Sequence, residues 1–204
     1  MGTVSPTAAR RVADHHAQFG VSYVAGPVFG RPEMAAAGKL LICVSGPEDA
    51  CKRAEPVLGA LGQGVFYFGA DAGAANVAKL TGNFLIACMV EALSEAAAFA
   101  EKDGVDKEKV LGMLTQTLFG CPIHQNYERV ILDRRWNPPG FRLRLGLKDL
   151  GLVLQTAREA EVPMPLAALA HGRLLSGVAR GWGDLDFTAT AMSVAADAGL
   201  DWSQ

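Results

Sequence analysis

The sequence lacks the features that would assign it to the nucleic-acid-binding proteins. It has 19 lysine and arginine residues against 21 aspartate and glutamate residues, which gives a formal net charge of −2. The basic residues are scattered along the chain, so no basic field is available to hold a phosphate backbone. We therefore expect no nucleic-acid partner.

Cysteine is scarce, and no targeting or membrane segment is evident. The chain has no CxxC spacing, and its four cysteines stand in apolar stretches, as reduced, packed thiols do: Cys43, Cys51, Cys88 and Cys121. No basic-then-apolar leader opens the chain, and we expect glycine, proline or charge to break every apolar stretch before the ~20 residues of a membrane span. These absences predict a soluble, cytoplasmic protein with no membrane partner.

Metal-ligand spacings are also missing. His15 and His16 are neighbours on a predicted helix, where adjacent side chains diverge by about 100° and do not share a metal. His124 and His171 have no Cys, His or Asp partners at ligand spacings. We predict no metal site.

Half of the residues are hydrophobic, so the 204-residue chain is long enough to bury one good core or two small ones. Its first seventy residues alternate helical patterns with short β-rich segments, which is typical of part of an open α/β sheet covered by helices. Helices are predicted at 8–19 and 47–61, and strands at 21–28, 40–44 and 65–68. The glycine cluster Gly59-Ala-Leu-Gly-Gln-Gly64 is interpreted as a helix end and a turn.

A different pattern begins at Asp71. An alanine-rich, proline-free stretch to Lys102 has apolar residues at three- and four-residue spacings, which predicts one long and mostly buried helix. Only helices are predicted beyond it, at roughly 107–117, 123–132, 144–161, 165–181 and 186–198. The predicted fold is α/β followed by all-α, with a domain at 1–70 and a second domain at 71–204 opened by the long helix.

Lys79 and Asn83 are the first candidates for chemistry. Lys79 lies early in the apolar helix, where desolvation would lower its pKa from about 10.4 toward neutrality and suit it to acid and base catalysis. Asn83 follows one turn later on the same face, where its amide is placed to orient a substrate. The alternative from spacing alone is a lysine that extends to solvent from a half-buried helix, beside a structural asparagine.

The segment Gly73-Ala-Ala-Asn-Val-Ala-Lys79-Leu-Thr-Gly-Asn83 resembles the catalytic segment of the β-hydroxyacid dehydrogenases, the group of 3-hydroxyisobutyrate, tartronate semialdehyde and 6-phosphogluconate enzymes. Three further segments agree with that family in the same order: Gly2-Thr-Val-Ser-Pro6, Gly26-Pro-Val-Phe-Gly30 followed by Ala35-Ala-Ala-Gly-Lys-Leu40, and Phe141-Arg-Leu-Arg-Leu-Gly-Leu-Lys-Asp-Leu150. The resemblance covers almost the whole chain. It implies a partial Rossmann-like dinucleotide-binding domain, a long interdomain helix and a helical domain like the C-terminal part of 6-phosphogluconate dehydrogenase.

The resemblance also implies a reaction and residue roles. NAD or NADP would oxidise a β-hydroxy acid, with Lys79 exchanging a proton with the substrate hydroxyl and Asn83 binding the substrate. Thr3 would lie at the nicotinamide end, and Lys148 would reach the cofactor from the helical domain. The alternative for Lys148 and Asp149 is a solvated ion pair at a helix start.

The chain departs from the family pattern after Pro27-Val28. The family commonly has Ser-Gly-Gly there to hold the substrate carboxylate, whereas this chain has Phe29-Gly30-Arg31. Gly30 remains a substrate-binding candidate, and Arg31 would replace the serine as a bidentate carboxylate clamp or else lie on the surface. Phe29 would favour a bulkier or more apolar substrate.

No G-x-G-x-x-G motif occurs in the sequence, so the part of the dinucleotide domain that cradles the pyrophosphate is expected to be missing. We therefore expect an N-terminally truncated relative with weak or no dehydrogenase activity. Unsatisfied strand edges in a partial sheet favour a homodimer or a higher oligomer.

Two other functions are considered. The first is an imine or other carbonyl-type reductase of the same superfamily; such enzymes usually carry a different acid at this position, so Lys79 argues against this function. A non-catalytic oligomerising or binding protein that keeps only the helical domain would explain the missing motif.

Overall fold

The first compact unit contains a small sheet with helices around it. The structure, a computed structural model, describes residues 1–203, and this unit comprises Met1–Asn83 and Leu152–Pro163. Its strands are β1 (Val28–Phe29), β2 (Leu40–Val44) and β3 (Gly62–Tyr67), in the order β1-β2-β3. β1 is antiparallel and β3 is parallel to β2. Its first three helices are α1 (Pro6–Ala17), α2 (Pro32–Ala36) and α3 (Glu48–Leu61).

Alternate side chains of β2 enter two apolar clusters, as the period of two in a strand requires. Leu40, Ile42 and Val44 pack with residues of α3 on one face of the sheet. Cys43 packs on the other face with Ala25 and Ala75. The sheet is therefore covered on both faces, which confirms the predicted α/β character of the first part of the chain.

Local signals place α1 and β2 correctly. The Ser5 hydroxyl accepts a hydrogen bond from the Ala8 amide at 3.1 Å, and Pro6 is the first residue of α1. The predicted strand at 40–44 has the observed bounds of β2.

Other boundaries differ from the prediction. The segment predicted as a strand at 21–28 forms only the isolated bridge between Ala25 and Ser45 before β1 begins at Val28. The glycine cluster contains a helix end but no separate turn, because β3 begins at Gly62 directly after α3. A side chain at Gly62 would lie 2.5 Å from the Leu40 carbonyl oxygen, so the glycine allows this close pairing.

The second compact unit comprises Phe84–Gly151 and the chain from Met164 onward. Helix α4 (Ala74–Lys102) enters it from the first unit, and the other helices are α5 (Lys107–Gln116), α6 (Pro122–Leu132), α7 (Leu143–Glu159), α8 (Pro165–Ala179) and α9 (Ala191–Asp197). The all-α character of this part and the long helix are confirmed. Helices α4 and α7 each contribute residues to both compact units, so the units differ from the predicted domains at 1–70 and 71–204. The domain boundary between residues 70 and 71 stays a prediction.

The helix predicted at 186–198 is shorter than expected. Phe187–Thr190 form a turn of 3₁₀-helix before α9. The Asp186 carboxylate accepts hydrogen bonds from the Thr188 amide and hydroxyl at 3.1 and 2.8 Å and from the Gly140 amide at 2.8 Å. These bonds hold the segment as a capped turn.

Ion pairs join three helices of the second unit. Arg173 on α8 donates from Nε to Glu91 on α4 at 2.7 Å and also pairs with Asp197 at the end of α9. Glu91 is buried, and burial raises its pKa while Arg173 opposes that rise. Replacing one partner of this network would destabilise the fold, because a buried charge would then be left uncompensated.

Helix α4 has the length and apolar composition of a membrane span. Lys79, Gly82 and Glu91 interrupt its apolar residues, as predicted, but the interruptions do not bring α4 below the hydropathy of a membrane span. In its most apolar window 39 % of the residues are buried, and the core helix of a soluble protein has the same composition.

Ser45 joins the end of β2 to the start of α4. Its buried hydroxyl donates to the Ala72 carbonyl at 3.1 Å and accepts from the Ala75 amide at 3.0 Å. We expect Ser45→Ala to lower the free energy of unfolding by about 1–3 kcal/mol, because both backbone groups lose a buried partner. Urea denaturation measures this, with exposed Ser22→Ala as the control; equal effects in the two variants would contradict the assignment.

Candidate active site

Lys79 and Asn83 both lie on α4 and are both partly buried. Their spacing of four residues places them on one face of the helix, as predicted. Asn76 precedes Asn83 by seven residues and therefore shares this face. It is 1 % exposed, and within residues 1–203 neither side-chain atom of Asn76 has a hydrogen-bond partner. Sequence reasoning missed Asn76, although its helical register with Asn83 was visible.

The Phe29 ring covers the Lys79 ammonium. The Lys79 Nζ lies 3.9 Å from the centroid of the ring, which is a cation–π contact. The ring also lies against Gly82, where a Cβ atom would be 2.3 Å from Phe29 Cζ. Phe29 therefore contacts the face of α4 that carries Lys79, a contact that sequence analysis did not predict.

Gly30 turns the chain directly after β1. Its φ of +141° lies in a region that L side chains rarely adopt, and a Cβ there would be 2.6 Å from Leu40 Cδ2. Arg31 follows in extended conformation as the residue before α2, with a partly buried side chain. The structure thus places Gly30 and Arg31 in the chain beside Phe29, within the same unit as Lys79 and Asn83.

Thr3 also belongs to the first unit, two residues before the Ser5 cap of α1. The space beside its neighbour Gly2 is open, since a Cβ at Gly2 would meet no atom within 4 Å.

Lys148 belongs to the second unit and lies on α7. Its Nζ is 2.8 Å from Asp149 Oδ1, with the lysine side chain 47 % and the aspartate side chain 5 % exposed. The alternative of a fully solvated pair is therefore wrong for the Asp149 side. The half-exposed Lys148 ammonium therefore lies beside a buried carboxylate.

The Lys79 ammonium has an electrostatic effect on a cysteine of the sheet. Burial raises the pKa of the Cys43 thiol on β2, and the nearby Lys79 ammonium opposes that rise. The net direction is upward, so Cys43 is a packed thiol and not an activated nucleophile.

An ion pair fixes the chain just before α4. Arg10 on α1 donates two hydrogen bonds to Asp71, from Nε at 2.9 Å and from Nη2 at 2.7 Å. Asp71 Oδ1 also accepts from the Gly73 amide at 3.1 Å. These bonds set where α4, and with it Lys79, begins relative to α1.

The residues described, 1–203, contain no group of three or more His, Cys, Asp or Glu side chains that could hold a metal ion. The absence of a metal stays a prediction.

Two family models match the chain. The model for the NAD-binding domain of NADP-dependent 3-hydroxyisobutyrate dehydrogenase matches residues 73–194. The model for the NAD-binding domain of 6-phosphogluconate dehydrogenase matches residues 1–69. Both matches agree with the family resemblance of the sequence.

Individual relatives agree with these models. The chain is 40 % identical to an uncharacterized oxidoreductase of Bacillus subtilis, covering 93 % of this chain and 66 % of that protein. It is 32 % identical to 2-(hydroxymethyl)glutarate dehydrogenase of Eubacterium barkeri, covering 93 % and 62 %. It is 34 % identical to 3-hydroxyisobutyrate dehydrogenase of Pseudomonas aeruginosa, covering 83 % and 58 %. The chain thus spans about three-fifths to two-thirds of the length of these relatives.

Solved structures give the same result. A 3-hydroxyisobutyrate dehydrogenase of Salmonella typhimurium matches with a TM-score of 0.84 at 28 % identity, covering 93 % of this chain and 66 % of that one. The Mycobacterium tuberculosis enzyme, solved with L-serine, matches with 0.84 at 30 % identity, covering 94 % and 67 %. An imine reductase of Myxococcus stipitatus matches with only 0.55 at 20 % identity, covering 93 % and 68 %, and shares the fold alone.

The Arg10–Asp71 pair predicts a pH-dependent stability. The Arg10 hydrogen bond holds the pKa of Asp71 below its usual 3.8, so this contribution is present above that value and is lost as pH falls through the depressed pKa. We expect Asp71→Asn to lower the free energy of unfolding by about 0.5 kcal/mol at neutral pH, because the pair is half exposed. Denaturation at several pH values tests this, with exposed Asp14→Asn as the control. A loss that persists unchanged in strong acid would contradict the ion pair.

Proposed function

Because the chain belongs to the β-hydroxyacid dehydrogenase family that includes 3-hydroxyisobutyrate dehydrogenase, we propose that it takes part in the NAD- or NADP-dependent oxidation of a β-hydroxy acid. The observation that carries this proposal is the face of α4, where Lys79 and Asn83 lie one turn apart beside the sheet. The relatives named for their substrates act on hydroxy acids such as 2-(hydroxymethyl)glutarate and 3-hydroxyisobutyrate.

Lys79 is the proposed acid and base. In the oxidising direction its neutral amine accepts the proton of the substrate hydroxyl, while the carbon that bears the hydroxyl loses a hydride and becomes a carbonyl carbon. A nicotinamide cofactor, when bound, would supply the two-electron oxidising chemistry. In the reducing direction the Lys79 ammonium returns the proton to the carbonyl oxygen.

Substrate binding is assigned to three residues. The Asn83 amide offers a donor and an acceptor on the same helix face as Lys79, which suits a hydroxyl or a carboxylate. Gly30 lets the backbone turn beside Phe29 without a side chain in the way. Arg31 is the proposed carboxylate clamp, because its guanidinium presents two parallel donors to a carboxylate.

The residues present suit the nicotinamide end of a dinucleotide. The buried Asn76 amide provides unused hydrogen-bonding capacity on the Lys79 face, and the space beside Gly2 is open. We propose Thr3 and Lys148 as cofactor-binding residues because the family resemblance implies these roles. Because no G-x-G-x-x-G motif occurs in the 204 residues, no residue is assigned to the pyrophosphate.

The test combines cofactor titration with one substitution. We expect NADH or NADPH to bind saturably, as measured by calorimetry, and we expect 3-hydroxyisobutyrate-like acids to be oxidised, if only slowly. Lys79→Ala should lower turnover by a factor of about 10²–10⁴ and change cofactor affinity little, because it removes the acid and base alone.

Lys102→Ala is the matched control, since Lys102 is an exposed lysine at the far end of the same helix. It should keep full turnover. Absence of saturable cofactor binding, or a Lys79→Ala variant that turns over normally, would overturn the proposed function.

We also propose a cytoplasmic homodimer or higher homo-oligomer. Several large apolar side chains of the second unit are more than half exposed, as at association surfaces: Phe99, Met113, Leu118, Phe119 and Leu166. Light scattering at micromolar concentration should give at least twice the 21.5 kDa mass of the chain. A clean monomer at that concentration would contradict this proposal.

A further inference from the structure

Phe29 is held in place independently of Lys79. Its backbone pairs with Leu41 of β2, and its ring packs against the buried cluster of Ala25, Cys43 and Ala75. A ring fixed by a sheet and a core does not follow the motion of a flexible lysine side chain. The sheet and the core therefore set the position of the Phe29 ring, and the Lys79 ammonium meets the ring there.

Gly82 allows the contact to form. Any side chain at position 82 would begin within 2.5 Å of two carbon atoms of the Phe29 ring. Glycine in a helix interior costs about 1 kcal/mol relative to alanine, so a close approach is a physical reason for its presence here. The ring thus occupies the groove that Gly82 leaves, one turn from Lys79 on the side of Asn83.

We propose that Phe29 is a positioning residue for Lys79: its ring face holds the ammonium beside Asn83 and favours the charged form of the amine. The catalytic consequence rests on the proposed function, whereas the contact and its effect on the amine do not.

Charge favours this arrangement. An ammonium over an aromatic face is attracted by the negative face of the ring, and partial burial of the pair strengthens the attraction. Cys43 on the sheet is a titratable neighbour of Lys79, and burial raises the pKa of its thiol and so favours the neutral form; the Phe29 ring carries no charge. Phe29 therefore opposes the tendency of burial to deprotonate Lys79.

The contact also has a directional consequence. One side of the Lys79 ammonium faces the ring, so a substrate oxygen can approach its remaining N–H groups only from the other sides. A charged Lys79 at neutral pH is the form that donates a proton, so Phe29 favours reduction of a carbonyl over oxidation of an alcohol under those conditions.

The test measures the reactivity of the Lys79 amine in the full chain without cofactor or substrate. Competitive acetylation by acetic anhydride, quantified by mass spectrometry of the Lys79 peptide, gives the midpoint of amine reactivity against pH. Phe29→Leu keeps an apolar side chain but removes the aromatic face. We expect this variant to lower the midpoint by about half a pH unit, a roughly threefold change in proton affinity.

Three further variants make the result specific. Phe29→Tyr restores an aromatic face and should restore the midpoint, and Gly82→Ala should displace the ring and lower the midpoint as Phe29→Leu does. Phe66→Leu is the matched control, because Phe66 is an exposed phenylalanine of β3 in the same unit. Phe66→Leu should leave the midpoint unchanged.

An unchanged midpoint in folded Phe29→Leu overturns the inference, as does a midpoint that Phe29→Tyr fails to restore. Circular dichroism identifies any variant that does not fold. The proposed function can fail separately from this inference. Normal turnover in Lys79→Ala would overturn the proposed function, but it would not change the acetylation midpoint measured in the parent chain. Where turnover is measured, Phe29→Leu should also shift the alkaline limb of the pH profile for reduction downward by the same amount.

Discussion

The close approach of β1 and α4 is the constraint on which the candidate site depends. Phe29 fits against α4 only because position 82 has no side chain, and the same ring meets the Lys79 ammonium at 3.9 Å. Ser45 fixes the first turn of α4 to the end of β2 through two hydrogen bonds. The sheet therefore determines both where α4 begins and how closely it lies, and the position of Lys79 follows from these two facts.

The helices could be predicted from the sequence because their signals are local. Ser5 and Pro6 mark the start of α1, and the proline-free apolar pattern gives the length of α4 within three residues at its start. The strands were harder, because pairing joins distant residues. The segment from Val21 to Pro27 has strand-like composition, but it forms only one isolated bridge, at Ala25. The paired strand begins at Val28.

The candidate site, like the fold, could be predicted only where local geometry determines it. The spacing of Lys79 and Asn83 on one helix face follows from helical geometry and needs no tertiary information. The contact of Phe29 with Lys79 depends on the antiparallel register of Val28 and Phe29 with β2, which the sequence does not specify. A glycine in the interior of a long helix was the available signal, because it marks a place where another group approaches the backbone.

The comparisons support the family and give no support to the non-catalytic alternative. The two family models match consecutive parts of the chain, residues 1–69 and residues 73–194. By the family resemblance, Phe29-Gly30-Arg31 stands where the family commonly has Ser-Gly-Gly, so an aromatic ring and a guanidinium are expected there in place of small residues. This exchange moves the expected substrate contacts from a serine hydroxyl to Arg31 and gives Lys79 an aromatic neighbour.

The most direct measurement of the central claim is the NMR chemical shift of the ε-methylene protons of Lys79, assigned by their loss in Lys79→Arg. If the Phe29 ring covers the ammonium in solution, the ring current displaces these protons upfield from those of exposed lysines, and Phe29→Leu abolishes the displacement. A resonance at the position of exposed lysines that does not respond to Phe29→Leu would contradict the account.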